Sequence, residues 1–212
     1  MRILIGALAG CATLAVVGAA VAASSGLYLG GGVALRGTTA NLEYTDGTKL
    51  RPSFDESPAY VLNLGYRFPI PVRVEGEFGF NKSYANPDTG GFRGSLEQWT
   101  AMLNIAYDIP LTDRLSLTVG GGGGYVKTLG RIHSGGLDYL HDDNDATVWQ
   151  AMGGIAFQVF DELELFAEYR YQDYGESQHT SSFVAVNPVR LVDAHSHNFM
   201  FGLRFFPQPL FL

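Results

Sequence analysis

The sequence predicts an all-β chain: eight antiparallel strands wound up-and-down into a barrel. Three observations carry this. Apolar and polar side chains alternate with period two, as they do on the two faces of a strand. Eight segments of at least ten residues show that alternation. The connections between them run long, short, long, short, long, short, long, which is the rhythm of hairpins joined around a cylinder.

Composition narrows the class. Charged residues are 17% of the chain, below the soluble average of about a quarter. The net charge of -7 argues against a nucleic-acid partner. No apolar run of about 20 residues follows the N-terminus, so no helical span is expected. Cys11 is the single cysteine, which excludes an internal disulfide framework.

Met1-Arg2 is a short positive start, Ile3 to Ala19 is apolar, and Ala20-Val21-Ala22 fits a small-residue cleavage pattern. Residues 1–22 are therefore expected to be a removable signal peptide and 23–212 the barrel. Leu8-Ala9-Gly10-Cys11 resembles a lipid-attachment motif. The stretch before it is short and the stretch after it stays apolar, so cleavage near Ala22 is the preferred reading.

The expected strands follow in order. Ser24–Arg36 sets Leu27, Leu29, Val33 and Leu35 against Tyr28, Ala34 and Arg36, and residues 37–57 read as a long loop. Pro58–Phe68 sets Tyr60, Leu62, Leu64, Tyr66 and Phe68 against Asn63 and Arg67. Pro69-Ile70-Pro71 is a tight turn, since prolines cannot continue a ladder. Val72–Tyr84 carries Arg73, Glu75 and Glu77 at three successive positions of one face, beside an uncharged apolar face. Residues 86–94 are a second long loop.

Ser95–Ile109 sets Trp99, Leu103, Ile105 and Tyr107 against Gln98, Thr100, Met102, Asn104 and Asp108. Residues 110–114 form a turn. Leu115–Thr128 is the fifth strand, and residues 130–145 read as a long polar loop. Ala146–Phe160 carries Trp149, Ile155 and Phe157 on its apolar face, and Asp161-Glu162 is a turn. Leu163–Tyr174 sets Leu163, Leu165, Tyr169 and Tyr171 against Glu164, Phe166, Glu168 and Arg170. Residues 175–193 are the fourth long loop. Ala194–Phe206 closes the set, with His195, His197, Phe199, Phe201, Leu203 and Phe205 on one face and Arg204 on the other.

The polar faces carry Arg36, Arg67, Arg73, Arg170 and Arg204 against Glu75, Glu77, Glu164 and Glu168. An eight-stranded barrel is only wide enough for side chains to fill it. Inside it those charges must pair, because stranded charges are costly to desolvate. A plugged lumen is the expectation. A soluble lipocalin-like barrel would invert the pattern, with the charges outside. The signal peptide, the strand length and the aromatic strand ends decide for a transmembrane barrel. Tyr66, Phe68, Tyr107, Phe157 and Phe205 lie near the short-turn end; Tyr60, Phe80, Trp99, Trp149 and Tyr171 lie near the long-loop end. Two such belts suit membrane interfaces.

Further stretches carry a family resemblance. Gly26-Leu27-Tyr28-Leu29-Gly30-Gly31-Gly32 opens the first strand after the cleavable signal. Leu165-Phe166-Ala167-Glu168-Tyr169-Arg170-Tyr171 with Asp173-Tyr174-Gly175 forms the seventh, and Gly202-Leu203-Arg204-Phe205-Phe206 ends the last. On these residues the mature chain resembles the small outer-membrane β-barrels of Gram-negative bacteria, the opacity-protein and porin-family surface antigens. That resemblance implies an outer-membrane location, extracellular loops and periplasmic termini. Its implied partners are outer-membrane lipid, lipopolysaccharide and the outer-membrane assembly machinery, with a host or surface ligand unspecified. Family members usually end on an aromatic residue, whereas this chain runs on through Pro207-Gln208-Pro209-Leu210-Phe211-Leu212.

Chemical motifs are sparse. Gly120–Gly124 with Lys127-Thr128 hints at a phosphate loop, but Val126 stands where a glycine is needed and the surroundings read as strand. Asp138, His141, Asp142, Asp143 and Asp145 suggest a cation site but lack EF-hand spacing, and a solvated loop is preferred. His179-Thr180-Ser181 has the H-x-S spacing of outer-membrane lipid A deacylases but falls in a loop. His195 and His197 read as interfacial histidines. No catalytic residue, cofactor or metal is assigned. The expected function is a non-enzymatic surface-exposed barrel, with a lipid-modifying enzyme or a narrow channel as alternatives.

Overall fold

The computed structural model describes residues 25–43, 49–50, 56–84, 93–134, 137–175, 177–179 and 189–207. Eight long strands form one closed antiparallel barrel: β1 (Gly26–Glu43), β2 (Ser57–Arg67), β3 (Val72–Tyr84), β4 (Arg93–Pro110), β5 (Leu115–Ser134), β6 (Leu137–Phe160), β7 (Leu163–Tyr174) and β8 (Val189–Phe205). Each pairs with the next, and β8 returns to pair with β1 from Leu29↔Phe205 to Glu43↔Arg190, which leaves no open edge on the barrel. Closure satisfies the backbone of every wall strand internally, the condition for crossing a bilayer with strands. Among the described residues no helix is long and apolar enough to cross a membrane.

β3 and β7 have the ends that their alternation and flanking turns predict. The other long-loop ends extend further. β1 continues past Arg36 to Glu43, where it pairs with a short strand at Lys49–Leu50. β8 begins at Val189 and pairs with a short strand at Ser177–His179. The expected third loop, residues 130–145, is corrected outright. β5 and β6 run through it as a paired hairpin, with Gly130↔Asp142 and Arg131↔His141, and only residues 135–136 stand between the strands. Asp138, His141, Asp142, Asp143 and Asp145 therefore lie on a strand, and His179 also lies on one. A strand that rises beyond the apolar belt needs no greasy face, so its sequence looks like loop. Residues 1–22, Cys11, Ser181 and 208–212 lie outside the described residues.

The two faces of the wall are sharply different. Outside, Leu29, Leu62, Leu64, Leu103, Ile105, Phe201 and their neighbours are exposed. Inside, arginines, carboxylates and amides are buried. This inverts a soluble barrel, and an apolar surface this extensive needs lipid against it. The belt on β3 runs from Val72 to Phe80, roughly 21 Å of height for a strand tilted by about 40°. Beyond it the outer face carries Lys82, Glu97, Lys127, Asp145 and Asp173 at the long-loop end.

The run Gly120–Gly124 is explained inside the wall. Gly120, Gly122 and Gly124 point inward, and a Cβ on any of them would overlap the adjacent backbone of β4. At Gly122 it would also overlap Asn104 Oδ1. Asn104 lies across that gap and donates to Glu77 Oε2 at 2.9 Å, while Gln150 Nε2 donates to Asn104 Oδ1 at 2.7 Å. The run is strand, not a phosphate loop.

Candidate functional site: a charged lumen between two aromatic belts

Alternation places one inward side chain every second residue, and eight strands leave space for little else. Among the described residues the buried charges are five arginines and five carboxylates: Arg36, Arg67, Arg73, Arg170 and Arg204 against Glu75, Glu77, Asp108, Glu164 and Glu168. The alternation singles out nine of them as the lumen charges; the tenth, Asp108, falls on the polar face of its strand without being counted among them. It shares the parity of Gln98, Met102 and Asn104, so extending the period to the strand's end would have found it.

Four arginines and the five carboxylates form one network across the barrel. Arg204 reaches Glu168 at 2.5 Å and Glu164 at 2.8 Å. Arg67 donates twice to Glu164, at 2.8 and 2.9 Å. Arg73 joins Asp108 at 2.6 Å and Glu168 at 3.2 Å. Arg170 joins Glu168 at 2.7 Å and also binds Glu77. Tyr28 donates its hydroxyl to Glu75 Oε2 at 2.5 Å, and Thr118 donates to Asp108 at 2.8 Å. Charge-assisted bonds of this kind are the strong class. Their net value is limited by desolvation, but removing one partner strands the other.

Arg36 is set apart. It is buried toward the long-loop end, and neutral groups hold it. Nε donates to Asn198 Oδ1 at 3.0 Å and Nη1 to Gln98 Oε1 at 3.1 Å, while Nη2 reaches Gln172 Oε1 and the Tyr174 hydroxyl. The lumen thus has a charged lower storey and an amide-and-hydroxyl upper storey. The cavity between them has a volume of about 20 Å³, which is room for about one water molecule.

Two aromatics pack on the network. Phe166 lies under the Arg204 guanidinium at 4.0 Å. Phe206 turns inward at the short-turn end, where it is buried against Tyr28 with ring centroids 5.1 Å apart. The Arg67 guanidinium lies 4.7 Å over the Phe206 ring.

A family model described as outer membrane protein beta-barrel domain matches residues 7–205. The chain belongs to that family. Solved structures similar to it include OprG, Neisserial surface protein A and AlkL. OprG from Pseudomonas aeruginosa shares 17% identity over 87% of this chain and 98% of its own, with a TM-score of 0.59. Neisserial surface protein A shares 18% over 85% and 97%, with a TM-score of 0.55. AlkL, solved in lipid bilayers, shares 16% over 92% and 97%, with a TM-score of 0.55. At these identities the likeness carries the fold alone. No curated protein sequence matches the chain.

Membership in the outer-membrane barrel family puts this chain in the bacterial outer membrane, so its exposed apolar face is a lipid-facing one. The aromatic residues ring that face. Tyr60, Tyr66, Phe68, Trp99, Trp149, Phe157 and Phe205 are exposed, and Phe80, Tyr107 and Tyr171 are half-exposed. They pair across neighbouring positions, with centroids 5.0 Å apart for Tyr66 and Phe68, 4.5 Å for Phe80 and Trp99, and 5.6 Å for Trp149 and Tyr171. Among the described residues, no three His, Cys, Asp or Glu side chains converge as a metal site.

Proposed function

We propose that this outer-membrane barrel is a closed, non-enzymatic anchor that displays its long-loop end outside the cell for adhesion or envelope interaction. The observation that supports this reading is the filled lumen. Ten buried charges are balanced in sign, and the cavity between the two storeys holds only about 20 Å³. Permeation would require parting buried ion pairs, and a buried charge without its partner is costly. Aqueous passage is therefore closed in the resting barrel. The loops then face outward and both termini face the periplasm, with lipopolysaccharide against the outer rim.

Planar-bilayer recording on the refolded protein tests the closed lumen. A flat baseline is expected, and steady ion conductance at moderate voltage would refute it. Surface proteolysis of intact cells tests the orientation. Cuts within the long-loop connections are expected, and cuts confined to the short turns would reverse it.

A further inference from the structure

Two histidines stand outside the lumen network. His195 and His197 are two residues apart on β8, so both project outward, at the long-loop edge of the lipid-facing belt. Their ring centroids lie 5.6 Å apart. Two imidazoles that share one tetrahedral zinc ion through N–metal bonds of about 2.0–2.1 Å hold their centroids about 5 Å apart. The centroid separation of the pair is therefore close to that of two imidazoles on one ion.

The neighbours favour such a role. Tyr169 Oη lies 2.6 Å from His197 Nδ1. When Nδ1–H donates to that oxygen, the lone pair is left on Nε2; partners of this kind set the tautomer and ring orientation of ligating histidines. Asp173 of β7 stands directly opposite His195 in the ladder, and its carboxylate accepts a hydrogen bond from Tyr171 Oη at 3.3 Å. The Tyr171 ring lies to one side of both imidazoles, its centroid 5.4 Å from that of His197 and 6.0 Å from that of His195. On the β1 side the register partners are Gly37 and Thr39. None of these residues brings positive charge to the pair, and Asp173 brings a negative one.

We infer that His195 and His197 form a two-histidine site for a borderline divalent cation of the zinc(II) class. Imidazole nitrogen prefers zinc, copper and nickel, whereas magnesium and calcium prefer oxygen. Asp173 contributes charge from the outer shell, and water fills the remaining positions. The site is open, rim-exposed and independent of whether the lumen conducts.

The test is a zinc chloride titration of the refolded full barrel in detergent micelles and a non-chelating buffer. Calorimetry and the histidine ring resonances are the readouts. One saturable site per chain is expected, with the His195 and His197 resonances moving and magnesium moving neither. H195A and H197A should each weaken binding at least tenfold, and Y169F by a smaller factor. Replacing His133, His141 and His179 together with alanine should leave binding intact. H195Q and H197Q repeat the test if an alanine variant fails to show heat-modifiable migration. Absence of saturable binding, or binding retained when both His195 and His197 are replaced, would overturn the inference.

Discussion

Arg204 and Glu168 meet diagonally, four positions out of register on neighbouring strands. Arg204 stands opposite Glu164 in the register of β8 with β7, and Glu168 stands opposite Met200. Yet Arg204 Nη2 lies 2.5 Å from Glu168 Oε1, so the long arginine side chain bridges the offset inside the lumen. Glu168 thereby serves three guanidinia, those of Arg73, Arg170 and Arg204.

Glu168→Gln should be the most damaging single neutralisation of this network. It leaves three buried arginines short of a carboxylate, and a loss of about 3–5 kcal/mol is expected. Urea-dependent loss of heat-modifiable gel migration measures it. Stability equal to that of the unsubstituted protein would mean that water reaches the network.

The glycine run separates two roles by parity. Gly122→Ala puts a methyl into Asn104 Oδ1 and the β4 backbone and should sharply lower refolding yield. Gly123→Ala points outward, where the nearest atom to its Cβ is Val148 O at 3.7 Å, and should refold normally. Equal yields for the two variants would contradict the inward packing.

Phe206 and Phe205 give a matching contrast at the short-turn end. Phe206→Ala removes the ring that packs on Tyr28 beneath Arg67, at an expected cost of about 3–5 kcal/mol for a buried aromatic. Phe205→Ala loses only a lipid contact and should cost less. Equilibrium unfolding in lipid vesicles ranks them, and the reverse order would place Phe206 outside.

Both tryptophans of the chain, Trp99 and Trp149, lie on the outer face near the long-loop end. Brominated lipids should therefore quench their fluorescence most when the bromine sits near the headgroup. Strongest quenching by bromine near the chain end would move the belt to the wrong depth.

What the sequence discloses depends on where lipid lies. β3 and β7 were legible to the residue because Pro69 and Pro71, and Asp161-Glu162, bound alternating runs whose outer face must be apolar. The β5–β6 hairpin above the belt was illegible for the converse reason. Water on its outer face removes the period-two signal, and an acidic run such as Asp142-Asp143-Asn144-Asp145 then looks like loop. Which side a charge faces followed from parity alone. Which charge it meets did not, since Arg67 joins Glu164 across 97 positions of sequence and that meeting depends on the stagger of the closed cylinder.

The ion pairs that cross the lumen link the first half of the chain to the last. Arg73 to Glu168 spans 95 positions and Arg170 to Glu77 spans 93. No isolated hairpin can make them. A sheet curled but not yet sealed would hold its arginines and carboxylates apart, each still needing water. Sealing the seam between β1 and β8 and discharging the interior are thus a single cooperative step, and the barrel should pass from wet and open to dry and shut with no stable half-way form.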